Sequence, residues 1–70
     1  MNTKQWKHIF SKNLTKKMDE VGIGQRELSR KSGVSETAIF NYLNENREPK
    51  FTIIIKLAEA LECPVNDLIY

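Results

Sequence analysis

The chain has 70 residues, of which 40% are hydrophobic and 29% charged, and its formal net charge is +2. This length is typical of one small domain, and so weak a positive charge does not by itself indicate a polyanionic partner. One cysteine and one histidine are too few for a metal centre or a nucleophile–base pair. We therefore expect no cofactor, no catalytic residues and no enzyme activity.

The lone cysteine, Cys63, cannot form an internal disulfide and fits a reducing, cytoplasmic environment. The longest apolar run, Ile53-Ile54-Ile55, is far shorter than a membrane span, and the first ten residues lack the apolar segment of a secretory signal. Positive charge is concentrated near the start of the chain. Residues 1–17 contain no acid and five lysines, Lys4, Lys7, Lys12, Lys16 and Lys17.

A first helix is predicted from Thr3, as its N-cap, to about Val21. Its apolar residues are spaced by three and four positions, which places them on one face of a helix: Trp6, Phe10, Leu14, Met18 and Val21. Gly22 is expected to end this helix, because glycine readily adopts the left-handed conformation found after helix C-termini.

The second and third helices are predicted on either side of a glycine turn. The second runs from about Gln25 to Ser32 with Leu28 facing inward, and Gly33 ends it. Ser35 is a favourable N-cap for a third helix over about residues 36–44. That helix has an apolar face and a largely polar face, formed respectively by Ile39, Tyr42 and Leu43 and by Glu36, Thr37, Phe40, Asn41 and Asn44.

A polar loop, residues 44–50, leads to a fourth helix that Thr52 is expected to cap and that runs over about residues 53–61. Its inward residues are predicted to be Ile54, Leu57, Ala58 and Leu61. Pro64 suits the start of a short fifth helix with Val65, Leu68 and Ile69. The pattern therefore predicts one all-α domain over residues 1–70, with five short helices.

Two helices joined by a tight turn, here over about residues 25–44, form a helix-turn-helix unit. In such a unit the first helix crosses the DNA backbone, and the second lies in the major groove. The groove presents a different pattern of hydrogen-bonding groups for each base pair. Hydrogen-bonding side chains on the first turns of the second helix, such as Glu36, Thr37 and Asn41, suit that role.

The register of the whole chain is more specific than the helix count. The turn Ser32-Gly33-Val34-Ser35, the loop segment Arg47-Glu48-Pro49 and the helical segment 56–61 occur at the spacing of one known family. Over about residues 10–69 the chain resembles the lambda-repressor-like (Cro/repressor, or XRE) helix-turn-helix family. The resemblance implies a five-helix DNA-binding domain of a bacterial or phage-encoded transcription regulator, most often a repressor.

The resemblance also implies roles for individual residues. Base edges would be contacted by Glu36, Thr37 and Asn41. The DNA backbone would be contacted by Gln25, Ser35, Asn44, Arg47 and Lys50. The implied partner is a double-stranded, palindromic operator bound by a homodimer. The dimer surface is expected at Val65–Tyr70, together with Trp6.

Three positions depart from the family pattern. An arginine–glutamate pair of the family is replaced here by Met18 and Leu43, and we expect these two side chains to touch, because apolar residues can replace a buried ion pair without loss of stability. Where the family often has glycine, this chain has Glu45. A left-handed backbone at that position would be strained for glutamate, and a differently shaped loop is the alternative.

Several residues have more than one interpretation. Glu36 can accept a hydrogen bond from cytosine N4 or stabilise the positive end of its own helix. Phe40 is expected to pack against the fourth helix near Phe51, with contact to a thymine methyl group as the alternative. Residues 12–17 can flank the DNA backbone or form a solvated face. The whole domain can also be a protein-interaction module that uses the same scaffold without reading DNA.

Overall fold

The computed structural model describes residues 2–70, in which five α-helices follow one another and no strand occurs. This confirms the predicted all-α, five-helix fold. The helices are α1 (Thr3–Val21), α2 (Gln25–Ser32), α3 (Glu36–Leu43), α4 (Phe51–Ala60) and α5 (Asn66–Ile69).

The long helix α1 organises the packing. It lies against α3 and α5, while α2 lies against α3 and α4. Residues from every helix meet in one hydrophobic core, and the most completely buried large side chains are Phe10, Leu14, Leu28, Ile39, Leu57 and Leu68. Burial of such side chains is the main source of stability in a domain this small.

The predicted inward residues of α2 and α4 are all buried, and those of α1 are buried except for Trp6 and Val21. Val21 keeps 47% of its surface exposed, so the expectation that it faces the core is wrong. It is the last residue of α1, next to an exposed glycine turn. Trp6 is half-buried and its ring lies 5.7 Å from that of Phe10, as expected for a residue at the edge of the core.

Three predicted helix boundaries need correction. The N-cap of α1 is Asn2 and not Thr3, because the Asn2 side chain accepts from the backbone N–H of Gln5 at 2.8 Å and the Gln5 side chain accepts from the backbone N–H of Asn2. This reciprocal pair is a capping box. Helix α4 begins at Phe51, so Thr52 lies inside it and the N-cap is Lys50. Asn44 is the C-cap of α3 and not part of the helix.

Four helix ends are followed by a residue with a left-handed backbone. Two are glycines, Gly22 and Gly33, and two are glutamates, Glu45 with φ 60° and Glu62 with φ 54°. After α3 the backbone N–H groups of Glu45 and Asn46 donate to the carbonyls of Tyr42 and Asn41, which is the hydrogen-bond pattern of a Schellman motif. The backbone after α3 therefore has the left-handed geometry that favours glycine, with glutamate in that position.

Met18 and Leu43, which replace the family's charged pair, lie on the facing sides of α1 and α3. Met18 is buried and Leu43 half-buried. Both line one surface depression with Thr15, Ile23 and Gln25. This arrangement is compatible with an apolar substitute for an ion pair, and direct contact between the two side chains stays a prediction.

Candidate nucleic-acid interface

The turn between α2 and α3 is held by short-range hydrogen bonds and by one buried side chain. Gly33 provides the left-handed backbone, and Ser32 Oγ accepts from the N–H of Val34 at 3.1 Å. Val34 is 4% exposed, which attaches the turn to the core. Ser35 Oγ accepts from the N–H of Ala38 at 3.1 Å, as predicted for an N-cap. These contacts hold the turn between α2 and α3 in place.

Helix α3 has one face in the core and one face on the surface. Ala38, Ile39 and Tyr42 are buried, and the Tyr42 ring meets the Phe10 ring edge-on at 5.9 Å. The predicted base-contacting residues lie on the opposite face. Glu36 and Thr37 are exposed and Asn41 is half-buried, so all three have side chains within reach of a ligand laid along this face.

The predicted backbone-contacting residues lie around the two ends of α3. Gln25 is exposed at the first position of α2, and Ser35 is exposed at the N-cap of α3. At the other end Arg47 and Lys50 are exposed, and within residues 2–70 neither forms an ion pair. Asn44 is already engaged, because its Nδ2 donates to the carbonyl of Phe40 at 2.8 Å, which leaves one amide hydrogen for a phosphate.

The two arginines of α2 were not identified from the sequence. Arg26 and Arg30 line a depression that also includes Glu36 at the start of α3. They are one turn apart on α2 and exposed. Both arginines add positive charge beside Glu36 on this surface. The i, i+4 spacing of the two arginines was the available sequence signal.

The basic segment of α1 divides into two parts. Lys17 Nζ lies 2.9 Å from a carboxylate oxygen of Glu20 and 3.2 Å from one of Asp67, and these hydrogen bonds raise the pKa of Lys17. Lys17 therefore links α1 to α5 through its ion pair with Asp67. Lys12 and Lys16 line a separate depression beside the pair of His8 and Glu45, whose Nδ1 and Oε2 atoms are 3.0 Å apart.

Comparison with known proteins agrees with this geometry. A helix-turn-helix family model matches residues 14–68, which is most of the chain and includes α2, the turn and α3. The chain belongs to the XRE-type helix-turn-helix family. It is therefore a DNA-binding transcription regulator and not an enzyme.

A solved structure gives the same fold independently. The crystal structure of the restriction-modification controller protein C.AhdI from Aeromonas hydrophila superposes with a TM-score of 0.82 at 25% sequence identity. The match covers 86% of this chain and 91% of C.AhdI. No curated protein sequence matches the chain significantly. Within residues 2–70 no helix has both the length and the apolar character that a membrane crossing requires.

Proposed function

We propose that residues 1–70 act as one sequence-specific repressor domain that binds a palindromic operator as a homodimer, with α3 in the major groove. The observation that carries this proposal is the two-sided character of α3. On one face Ile39 and Tyr42 are buried in the core, and on the other face Thr37 and Asn41 are accessible to solvent. A rigid helix with hydrogen-bonding groups on its free face is what major-groove reading requires.

Each side chain on that face has a base-pair partner that suits it. Asn41 can bond adenine at N6 and N7, and Thr37 can use its hydroxyl or place its methyl against thymine. Glu36 can accept from cytosine N4, and Arg26 and Arg30 line the same depression as Glu36.

The backbone contacts would fix the register of α3 in the groove. Gln25 and Ser35 lie at the N-termini of α2 and α3, where free backbone N–H groups and the helix dipole favour phosphate. Arg47 and Lys50, with the remaining amide hydrogen of Asn44, would hold the DNA strand at the other end of α3. Substitutions of the base-contacting residues and of the backbone-contacting residues should therefore have different phenotypes.

Geometry and symmetry support the proposed dimer. Half-sites of helix-turn-helix dimers lie about 34 Å apart, and the longest dimension of this domain is 30 Å, so two adjacent copies can present their α3 helices at that spacing. A two-fold dimer reads a palindrome. The proposed contact surface is Val65–Tyr70 with Trp6, where Tyr70 is 85% exposed. The likeness to a restriction-modification controller protein supports a regulatory role in a bacterial or phage cytoplasm.

The test is selection of bound sequences from random duplex DNA at about 150 mM salt, near physiological ionic strength. Wild-type protein is compared with Thr37→Ala, Asn41→Ala and Arg47→Ala. We expect a palindromic site, relaxed preference at particular base pairs for the first two variants, and uniformly weaker binding for the third.

One outcome of this selection would reject the proposal. Absence of an enriched sequence, with affinity in the non-specific range of about 10⁻⁴–10⁻⁶ M, would reject the proposal in favour of a protein-interaction module. Such a module would bind its partner with little dependence on salt, whereas DNA binding weakens steeply as salt increases.

A further inference from the structure

Phe40 is a large apolar side chain in the middle of the polar face of α3. It keeps 51% of its surface exposed, so the expectation that it packs onto α4 near Phe51 is wrong. Phe51 itself is 63% exposed. The aromatic ring pairs within residues 2–70 join Trp6 to Phe10 and Phe10 to Tyr42, and neither includes Phe40.

The direction in which Phe40 projects is fixed by its surroundings. Its neighbours Ile39 and Tyr42 are buried in the core, so the helix cannot rotate about its axis. Its carbonyl accepts from both the backbone N–H and the side-chain amide of Asn44, at 3.0 and 2.8 Å. With 3.6 residues per turn, Phe40 lies about one turn above Glu36 on the exposed face, and Thr37 and Asn44 lie on the side of it away from Glu36.

Two kinds of partner can cover such a ring, another protein surface or a base. An apolar protein surface seated on Phe40 would also cover Glu36, Thr37 and Asn44 on either side of it, and burying polar groups without hydrogen bonds is costly. DNA avoids this cost, because base edges and phosphates offer hydrogen-bonding groups to those neighbours. In the major groove the apolar group on a base pair is the C5-methyl of thymine.

We propose that Phe40 is a specificity-determining residue that recognises the C5-methyl group of one thymine in each half-site. The inference rests on the proposed function, since it requires the exposed face of α3 to lie in the major groove. It adds an apolar contact to the hydrogen bonds of Thr37 and Asn41 and identifies one base by its methyl group alone.

The experiment replaces each thymine of the selected operator, one at a time, with deoxyuridine, which removes the methyl group and keeps the hydrogen-bonding pattern. Wild-type protein is expected to lose about fourfold in affinity at one position per half-site, the factor that about 0.8 kcal/mol for one buried methyl corresponds to. Phe40→Ala is expected to bind the thymine and deoxyuridine operators equally, and Phe40→Leu to keep part of the discrimination.

The matched control is Phe51→Ala, which removes another exposed phenylalanine, at the first position of α4. It should keep the full response to deoxyuridine. A wild-type profile without a sensitive position, or a Phe40→Ala profile identical to wild type, would overturn the inference.

Failure of the inference and failure of the proposed function look different. If Thr37→Ala and Asn41→Ala relax base preference while no thymine methyl matters, α3 reads DNA and only the role of Phe40 is rejected. If no operator can be selected at all, the major-groove proposal fails and the role of Phe40 fails with it.

Discussion

The hydroxyl group of Ser11 donates a hydrogen bond of 2.6 Å to the carbonyl of Leu43. Leu43 is the last residue of α3, and carbonyls in the last turn of a helix have no partner within the helix. Ser11 is the buried polar residue of the core, at 6% exposure. This bond joins the middle of α1 to the C-terminal end of the helix that we propose reads DNA.

Replacing Ser11 with alanine should destabilise the domain by about 1–3 kcal/mol, because the Leu43 carbonyl would be left without a partner in a partly buried site. Thr15→Ala, at an exposed position one turn further along α1, is the control and should change stability by less than about 0.5 kcal/mol. Urea unfolding measures both, with an unchanged m-value expected. Equal stability of the two variants would show that the bond contributes nothing.

Ser35 combines a structural role with a predicted phosphate contact, and substitution can separate them. Ser35→Ala should cost about 1 kcal/mol of stability, because the cap of α3 is lost. Ser35→Asn and Ser35→Asp both keep a capping oxygen and should be nearly as stable as wild type.

The two capped variants of Ser35 should differ in operator affinity. A carboxylate near a phosphate is repelled by about 1 kcal/mol at 4 Å even in water, so Ser35→Asp should bind at least about fivefold more weakly than Ser35→Asn. Thermal unfolding and binding titrations are done on the same samples. Equal affinity of the asparagine and aspartate variants would remove Ser35 from the predicted phosphate contacts.

Glu45 has a left-handed backbone that favours glycine. Glu45→Gly should make the domain more stable than Glu45→Ala by about 1 kcal/mol, because both variants lose the contact with His8 and only glycine avoids the steric cost of a side chain at positive φ. The His8–Glu45 contact is exposed, with 64% and 41% of the two side chains accessible, and contributes little. Chemical denaturation of the two variants tests this, and an alanine variant as stable as the glycine variant would contradict it.

Lys17 should contribute to stability in a pH-dependent way. Its hydrogen bonds with Glu20 and Asp67 raise its pKa in the folded protein above the ordinary value of 10.5. A raised pKa means that the contribution is complete below the unfolded-state pKa and is lost as the pH rises through the folded-state pKa. The melting temperature of Lys17→Met should therefore lie below that of wild type at pH 7, and the difference should shrink toward pH 11.

The control for Lys17 is Lys16→Met, which removes a neighbouring lysine that makes no ion pair within the described residues. Its melting temperature should follow that of wild type across the same pH range. A constant gap between Lys17→Met and wild type would mean that packing of the side chain, and not its charge, holds α5.

The sequence predicted those features that depend on neighbours along the chain. Apolar spacing identified the inward faces of α2 and α4, and Gly33 and Ser35 identified the turn, since these signals act over a few residues. The prediction of Thr3 as the N-cap of α1 was wrong, although the sequence contains the signal for Asn2: Asn2 and Gln5 have the spacing of a capping box. Thr52 was predicted as the N-cap of α4 because threonine is a common capping residue. Threonine can also lie inside a helix, and here α4 begins one residue earlier, at Phe51.

The sequence did not predict the features that depend on how helices cross. Ser11 and Leu43 are 32 positions apart, and no local pattern indicates that they meet. The exposure of Phe40 likewise depends on the distance between α3 and α4, which apolar periodicity along one helix does not determine. The residues predicted to contact DNA share an exposed surface, and their individual contacts stay predictions.

Cys63 makes the junction of α4 and α5 accessible to kinetic measurement. Burial raises the pKa of its thiol, and its backbone N–H donates to the carbonyl of Ala58 at 3.0 Å. A thiol reagent reacts with the thiolate, and Cys63 is partly exposed in the folded domain, so the raised pKa should slow its modification at neutral pH. The half-life of the thiol would then report the surroundings of this junction, in the free protein and with DNA bound.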